Sequence, residues 1–254
     1  MMVLHFGRPV ELTSFDALVD AMPDREFERL TRSTVPLLAW WRDEARVRGL
    51  ENCLGLEDLA EGDAWVEYAV SPHCTSCGGR GKSSYTDVLL KLDGHVVAIE
   101  AKHSEKLYAT VGKWLGSPGS DNKRRVLHHW LSCCIGSTLT PLACRDLVYQ
   151  MVHRTASACH VAAHNRAATP HVVHVLFGSE HVAEYVAAVD LLARTLASTI
   201  IRFAVVNVPT GIGVDYDKTK LDLDARGPDA LREALVTEKQ LFVFGSPDMV
   251  YRSP

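Results

Sequence analysis

The stretch SYTDVLLKLDGHVVAIEAK, residues 84 to 102, decides the fold, because Asp93-Gly94 lies between two runs of β-branched and aliphatic residues. That arrangement is a strong short-range signal for a two-residue hairpin turn. With Leu92 and His95 flanking the turn, Asp87 faces Glu100 and Tyr85 faces Lys102. Opposed residues of an antiparallel pair hold their Cβ atoms roughly 4.5–5.5 Å apart, close enough for two carboxylates to share one divalent cation. Alternation adds Lys102 to that face and leaves Val88, Leu90, Val97, Ile99 and Ala101 on the other, an apolar set that a helix must cover. Two facing acids repel unless a cation lies between them. A solvated sheet face, on which Lys102 merely offsets the acids, is the competing reading.

At these residues the sequence resembles the PD-(D/E)XK nuclease superfamily, the restriction-endonuclease-like fold. The resemblance is carried by Asp87, a gap, and then Glu100-Ala101-Lys102 at the end of the hydrophobic strand VVAIEAK; Thr86 stands where the name-giving proline would be. It implies Mg²⁺-dependent hydrolysis of phosphodiester bonds, with Mn²⁺ able to substitute. It also implies that Asp87, Glu100 and the Ala101 carbonyl hold the metal, while Lys102 orients or activates the attacking water. Many members place a glutamine on the helix after this strand, with a tyrosine or basic residue four positions on. YQMVHR is similar to that pattern and would bring Gln150 and Arg154 to the cleft.

Working outward, a helix is expected from Ser33 or Thr34, hydroxyl caps ahead of Pro36, toward Gly49, packed on the hairpin's apolar face. Glu28 and Glu44, before and on it, are candidate extra acids, with a surface position as the alternative. Residues 64–70, AWVEYAV, alternate as a strand, the first of a three-stranded meander, and could aim Glu67 at the same cleft. The loop that follows holds His73, Cys74 and Cys77, half of a zinc-ligand set with no second Cys-x-x-Cys in the chain, so structural zinc is not the expectation. Arg80 and Lys82 in that loop, with Lys113, Lys123, Arg124 and Arg154 beyond the hairpin, are candidate contacts to nucleic-acid phosphates; the alternative is an ordinary solvated basic face.

A long helix is expected over residues 142–164 and a buried strand over 171–177, completing the order helix, three strands, helix, strand. The expected fold class is therefore α/β, a restriction-endonuclease-like αβββαβ core whose mixed central sheet is flanked by helices. A C-terminal αβ extension, with a strand over 199–208, a helix over 228–236 and a strand over 240–244, would widen the sheet. Residues 1–32 are expected as a helical extension and 33–254 as the nuclease-like domain.

The chain has 254 residues and a net charge of −4, which does not by itself advertise a nucleic-acid partner, although a local basic patch can coexist with it. Seven cysteines, an odd number scattered through core-like segments, argue for reduced thiols. With no apolar run of about 18 residues and no leader-like start, the expectation is a cytoplasmic protein without membrane association. No nucleophile elbow, phosphate-cradling Gly-Lys-Ser/Thr loop or His-Glu-x-x-His is present. The leading expectation is a DNA endonuclease, compatible with a homodimer and, by analogy alone, with restriction or defence. The alternative is a non-catalytic nucleic-acid- or protein-binding module on the same fold.

Overall fold

Asp93-Gly94 makes the expected turn, with Gly94 at φ 70°, a left-handed conformation that glycine adopts without steric cost. In the computed structural model, which describes residues 3–7, 10–71, 81–117, 120–134, 139–165 and 168–253, the turn joins β4 (Ser84–Leu92) to β5 (His95–Lys102) with Leu92 opposite His95. β3 (Asp63–Val70) pairs antiparallel with β4, giving the meander. Beyond it β5 pairs in parallel with β6 (Thr169–Phe177), and β6 in parallel with β7 (Arg202–Val208). The central sheet is mixed and has eight strands.

Both faces of this sheet are covered by helices, as the apolar content of its inner strands requires. On one face Val88, Leu90, Val97, Ile99 and Ala101 pack with Val35, Leu38 and Trp40 of α2 (Thr34–Trp41) and with Val47 and Leu50 of α3 (Glu44–Leu54). The expected helix over the hairpin is therefore two. Asp43 accepts the Ala45 N–H and starts α3 afresh, while Gly55 at φ 62° ends it. The Thr34 hydroxyl donates to Glu26 rather than capping a helix. On the other face Leu89, Val96 and Ala98 meet α5 (Asp121–Cys133) and α6 (Tyr149–His164). That face is thus core along most of its length; its buried charged groups gather at the end remote from the turn, while Lys91 beside the turn lies over the Trp65 ring at 4.0 Å.

Several expected elements differ. The N-terminal segment is helical only in part: α1 (Phe15–Ala21) forms and a 3-10 turn follows at Asp24–Phe27, but β1 (Val3–Phe6) lies parallel to β3 and carries β2 (Val10–Leu12) at the sheet edge, and Leu18, Val19 and Phe27 join the main core, so the segment is no separate extension. α6 begins at Tyr149 rather than near 142, because Tyr149 N–H donates to the Ala109 carbonyl and Val111 N–H to that of Leu147, an antiparallel bridge that holds Val148 extended opposite Thr110. The C-terminal strand near 240–244 does not widen the central sheet. It is β9 (Phe242–Phe244), paired among the described residues with β8 (Thr210–Ile212) alone, whereas β10 (Asp248–Arg252) takes the edge beside β7. After β6 come α7 (Val182–Leu196) and, beyond β8, α8 (Tyr216–Arg226); α9 (Pro228–Val236) forms over the expected residues. Among the described residues no helix is long and apolar enough to cross a membrane.

Candidate functional site

The β4–β5 ladder runs from Leu92–His95 only to Val88–Ile99. Past that point the two strands part company. Thr86, Tyr85 and Ser84 pair with β3, while Glu100, Ala101 and Lys102 pair with β6, so the sheet forks where the two acids lie. Asp87 caps the fork: its Oδ2 accepts the Ala101 N–H at 2.8 Å. The expected facing of Tyr85 and Lys102 is lost in the fork, for Tyr85 is exposed and Lys102 buried.

Glu100 sits at the centre, 2 % exposed, and its carboxylate takes three donors. Lys102 Nζ (2.6 Å) and Gln150 Nε2 (2.8 Å) donate to Oε1, and Arg154 Nε donates to Oε2 at 2.5 Å. The i, i+2 spacing on β5 and the i, i+4 spacing on α6 each put two residues on one face, so both pairs converge. Arg154 Nη1 also donates to Ser84 Oγ at 2.7 Å, which leaves the hydroxyl proton for His153 Nδ1 at 2.9 Å. Burial, then the Arg154 charge, lowers the His153 pKa to about 3, so the ring is neutral and its Nδ1 accepts.

Charge within this cluster is unevenly balanced. Burial opposes ionisation of Glu100, but the Arg154 and Lys102 charges and hydrogen bonds prevail and bring its pKa down to about 2. Lys102 is likewise desolvated, yet Glu100 and Asp87 hold it charged, above the usual lysine range. Asp87 moves the opposite way: burial, then the Glu100 charge, raises its pKa well above normal. Glu67 stands opposite Asp87 where the β3–β4 ladder skips a pair, at φ 54°, a conformation that costs of order 1–3 kcal/mol in a non-glycine residue. Burial, then Glu26, pushes its pKa up to about 7. On the far side of Glu100, its β6 partner His174 is buried with Nδ1 unpartnered, and burial lowers its pKa to about 4.

A cleft of about 500 Å³ opens onto this cluster, lined by Glu67, Asp87, Glu100, Lys102, Gln150 and Arg154. Of the other expected acids, Glu28 lies on its lining, but Glu44 does not; it is exposed and paired with Arg48 at 2.7 Å. Sequence reasoning missed Glu26, which is buried against Arg32 and Thr34, and Glu105, which accepts the His103 and Ser33 N–H groups. A lone acid in an irregular segment has no periodicity to reveal it.

Of the expected basic contacts, only Arg154 lines the cleft. Lys82 and Lys123 line a separate pocket of about 230 Å³ with Trp114 and His153, Arg124 pairs with Asp121, and Lys113 is exposed on α4 (Val111–Leu115). His73, Cys74, Cys77 and Arg80 lie outside the described residues.

The donor chemistry at the fork, two carboxylates and the Ala101 carbonyl, is the hard-oxygen type that suits Mg²⁺. Asp87 spends Oδ2 on the Ala101 N–H, and burial with the neighbouring Glu100 charge raises the proton affinity of that carboxylate. Among the described residues no group of three or more His, Cys, Asp or Glu side chains is arranged to hold a metal ion.

Fold and site together define an α/β protein with a buried ion cluster at the fork of a mixed sheet. Within that class the chain belongs to a family described as a domain of unknown function (DUF6946), whose model matches residues 11–212. No curated protein and no solved structure gives a significant match.

Proposed function

We propose that the protein is a metal-dependent nuclease that hydrolyses phosphodiester bonds of DNA. The observation that carries this reading is the convergence of Asp87, Glu100, Lys102 and Gln150 on one cleft, with Lys102 and Gln150 both hydrogen-bonded to Glu100. The order α2/α3, β3–β5, α6, β6 supports a restriction-endonuclease-like core, as does the resemblance of residues 84–102.

Asp87, Glu100 and the Ala101 carbonyl would hold Mg²⁺ or Mn²⁺, which supplies charge neutralisation at the phosphate and acidifies bound water. The chain's own groups do the rest. Lys102, kept protonated by its two acids, contacts a non-bridging phosphate oxygen and orients the water. Gln150 fixes the Glu100 carboxylate and Arg154 balances its charge from below. The oxygen of water bonds to phosphorus as the water releases a proton to solvent, the ester P–O bond breaks, and the leaving oxygen takes a proton from solvent.

A second reading, a non-catalytic binding module, is favoured by one feature: both Glu100 oxygens are already engaged by Lys102, Gln150 and Arg154, as in a structural ion cluster. The deciding experiment incubates wild type and Lys102→Ala with plasmid, linear and single-stranded DNA under Mg²⁺ and Mn²⁺. Divalent-dependent cleavage that Lys102→Ala loses is expected. Equal activity in both proteins would overturn the catalytic assignment, and no cleavage by wild type would leave the binding module.

A further inference from the structure

At the opposite end of the sheet, beneath the hairpin turn, lies a larger cavity of about 710 Å³. Its floor is built by strand register. His171 on β6 stands opposite Arg202 on β7 and Val97 on β5; His95 lies two residues before Val97; Ala204, two beyond Arg202, stands opposite Arg252 on β10. Because alternate residues share a face, four adjacent strands each present one basic or titratable side chain on the same side. His95 Nδ1 and His171 Nε2 lie 3.0 Å apart, so one ring donates to the other. Arg252 is held in place by the Cys53 and Leu54 carbonyls at the end of α3.

The geometry points to a second binding site on this floor, for a small molecule carrying an oxyanion of the phosphate or sulfate type. A neutral His–His pair offers one outward N–H, and a singly protonated pair offers two, so proton uptake creates the second donor an oxyanion needs. The groups facing the pair are Arg202, Arg252, and the acids Glu57, Asp58 and Asp93. His171 is held neutral, its pKa lowered to about 4 by burial and then by His95, Arg202 and Arg252, all cationic or titratable neighbours whose field an anion would offset. The cavity's three acids oppose any anion, so the two arginines and the proton taken up by the histidine pair must outweigh them. Its volume lies in the usual range for small-ligand sites, roughly 300–1,000 Å³.

Isothermal titration of the full chain with inorganic sulfate tests this, because sulfate keeps one charge state between about pH 6 and about pH 8 and any pH dependence then belongs to the protein. The expected result is one saturable site per chain, at least about tenfold tighter at the lower pH. Inorganic phosphate should displace the sulfate. His171→Leu and Arg202→Gln should each weaken binding at least about tenfold with an unchanged melting temperature; His171→Gln serves in place of His171→Leu where the latter does not fold. Absence of a saturable site at either pH, pH-independent binding, binding undiminished in both His171→Leu and Arg202→Gln, or displacement by a DNA oligonucleotide would each overturn the assignment.

Discussion

Replacing Glu100 by glutamine keeps the shape of the fork and deletes the charge that both buried cations contact directly. Lys102 and Arg154 are 4 % and 7 % exposed, so neither can recover its hydration by turning outward. Breaking a buried ion pair from one side costs about 3–5 kcal/mol. Asp87 offsets part of this. Glu100 is among the causes that raise the Asp87 pKa, so its removal lets Asp87 ionise and face the cations. The expected loss is therefore near the lower end, about 3 kcal/mol, or a melting temperature lower by about 6–12 °C at two to four degrees per kcal/mol.

Urea unfolding followed by tryptophan fluorescence measures it as a lower midpoint at unchanged slope. The double variant Glu100→Gln/Lys102→Met should be more stable than Glu100→Gln alone, since it removes one stranded cation. The pH dependence has a defined sign. Glu100 has its pKa lowered from 4.5 to about 2, so its contribution is complete above about 4.5 and is lost as pH falls through about 2; the gap between wild type and variant should narrow over that window. A loss under about 1 kcal/mol at neutral pH, or a gap that widens on acidification, would refute the picture of Glu100 as the charge that holds the cluster.

Glu67 has the opposite sign. Its pKa is raised from 4.5 to about 7, so wild-type stability should fall as pH rises through that interval by up to about 3 kcal/mol, and Glu67→Gln should flatten the profile; a slope identical in both proteins would count against it. Trp40 is fully buried and meets Phe177 edge-on at 5.9 Å, so Trp40→Ala should cost about 3–5 kcal/mol in the same unfolding assay. Under the nuclease reading, Lys102→Ala should lower divalent-dependent cleavage by about 10²-fold or more, with circular dichroism confirming a native fold.

The hairpin was legible because its register rests on local chemistry: Asp93-Gly94 fixes the turn, and the apolar alternation of 88–92 and 95–99 fixes the face. Gln150 and Arg154 were legible through the resemblance of YQMVHR to the nuclease helix pattern; their four-residue spacing by itself showed only that they share a helix face. What sequence could not show depended on partners distant in the chain. β1 reads as a short apolar start until β3 is there to pair with it. The division of α2 from α3 turns on one capping carboxylate, Asp43, inside a run that is helical throughout. The fork itself was invisible, since uninterrupted alternation from Ser84 to Lys102 reads as one continuous ladder, whereas the outer ends choose β3 and β6. Glu26 acquires meaning only when folding brings it beside Thr34 and near Glu67.

The sheet beyond Val88 and Ile99 behaves as two leaves, one carrying Ser84 and Asp87 with β3, the other carrying Glu100 and Lys102 with β6. Arg154 grips both, Nη1 on the Ser84 hydroxyl and Nε on the Glu100 carboxylate, while Asp87 clasps the Ala101 amide across the gap. One side chain reaching down from α6 and one carboxylate within the sheet thus tie the leaves together, and between them limit the span between the two acids.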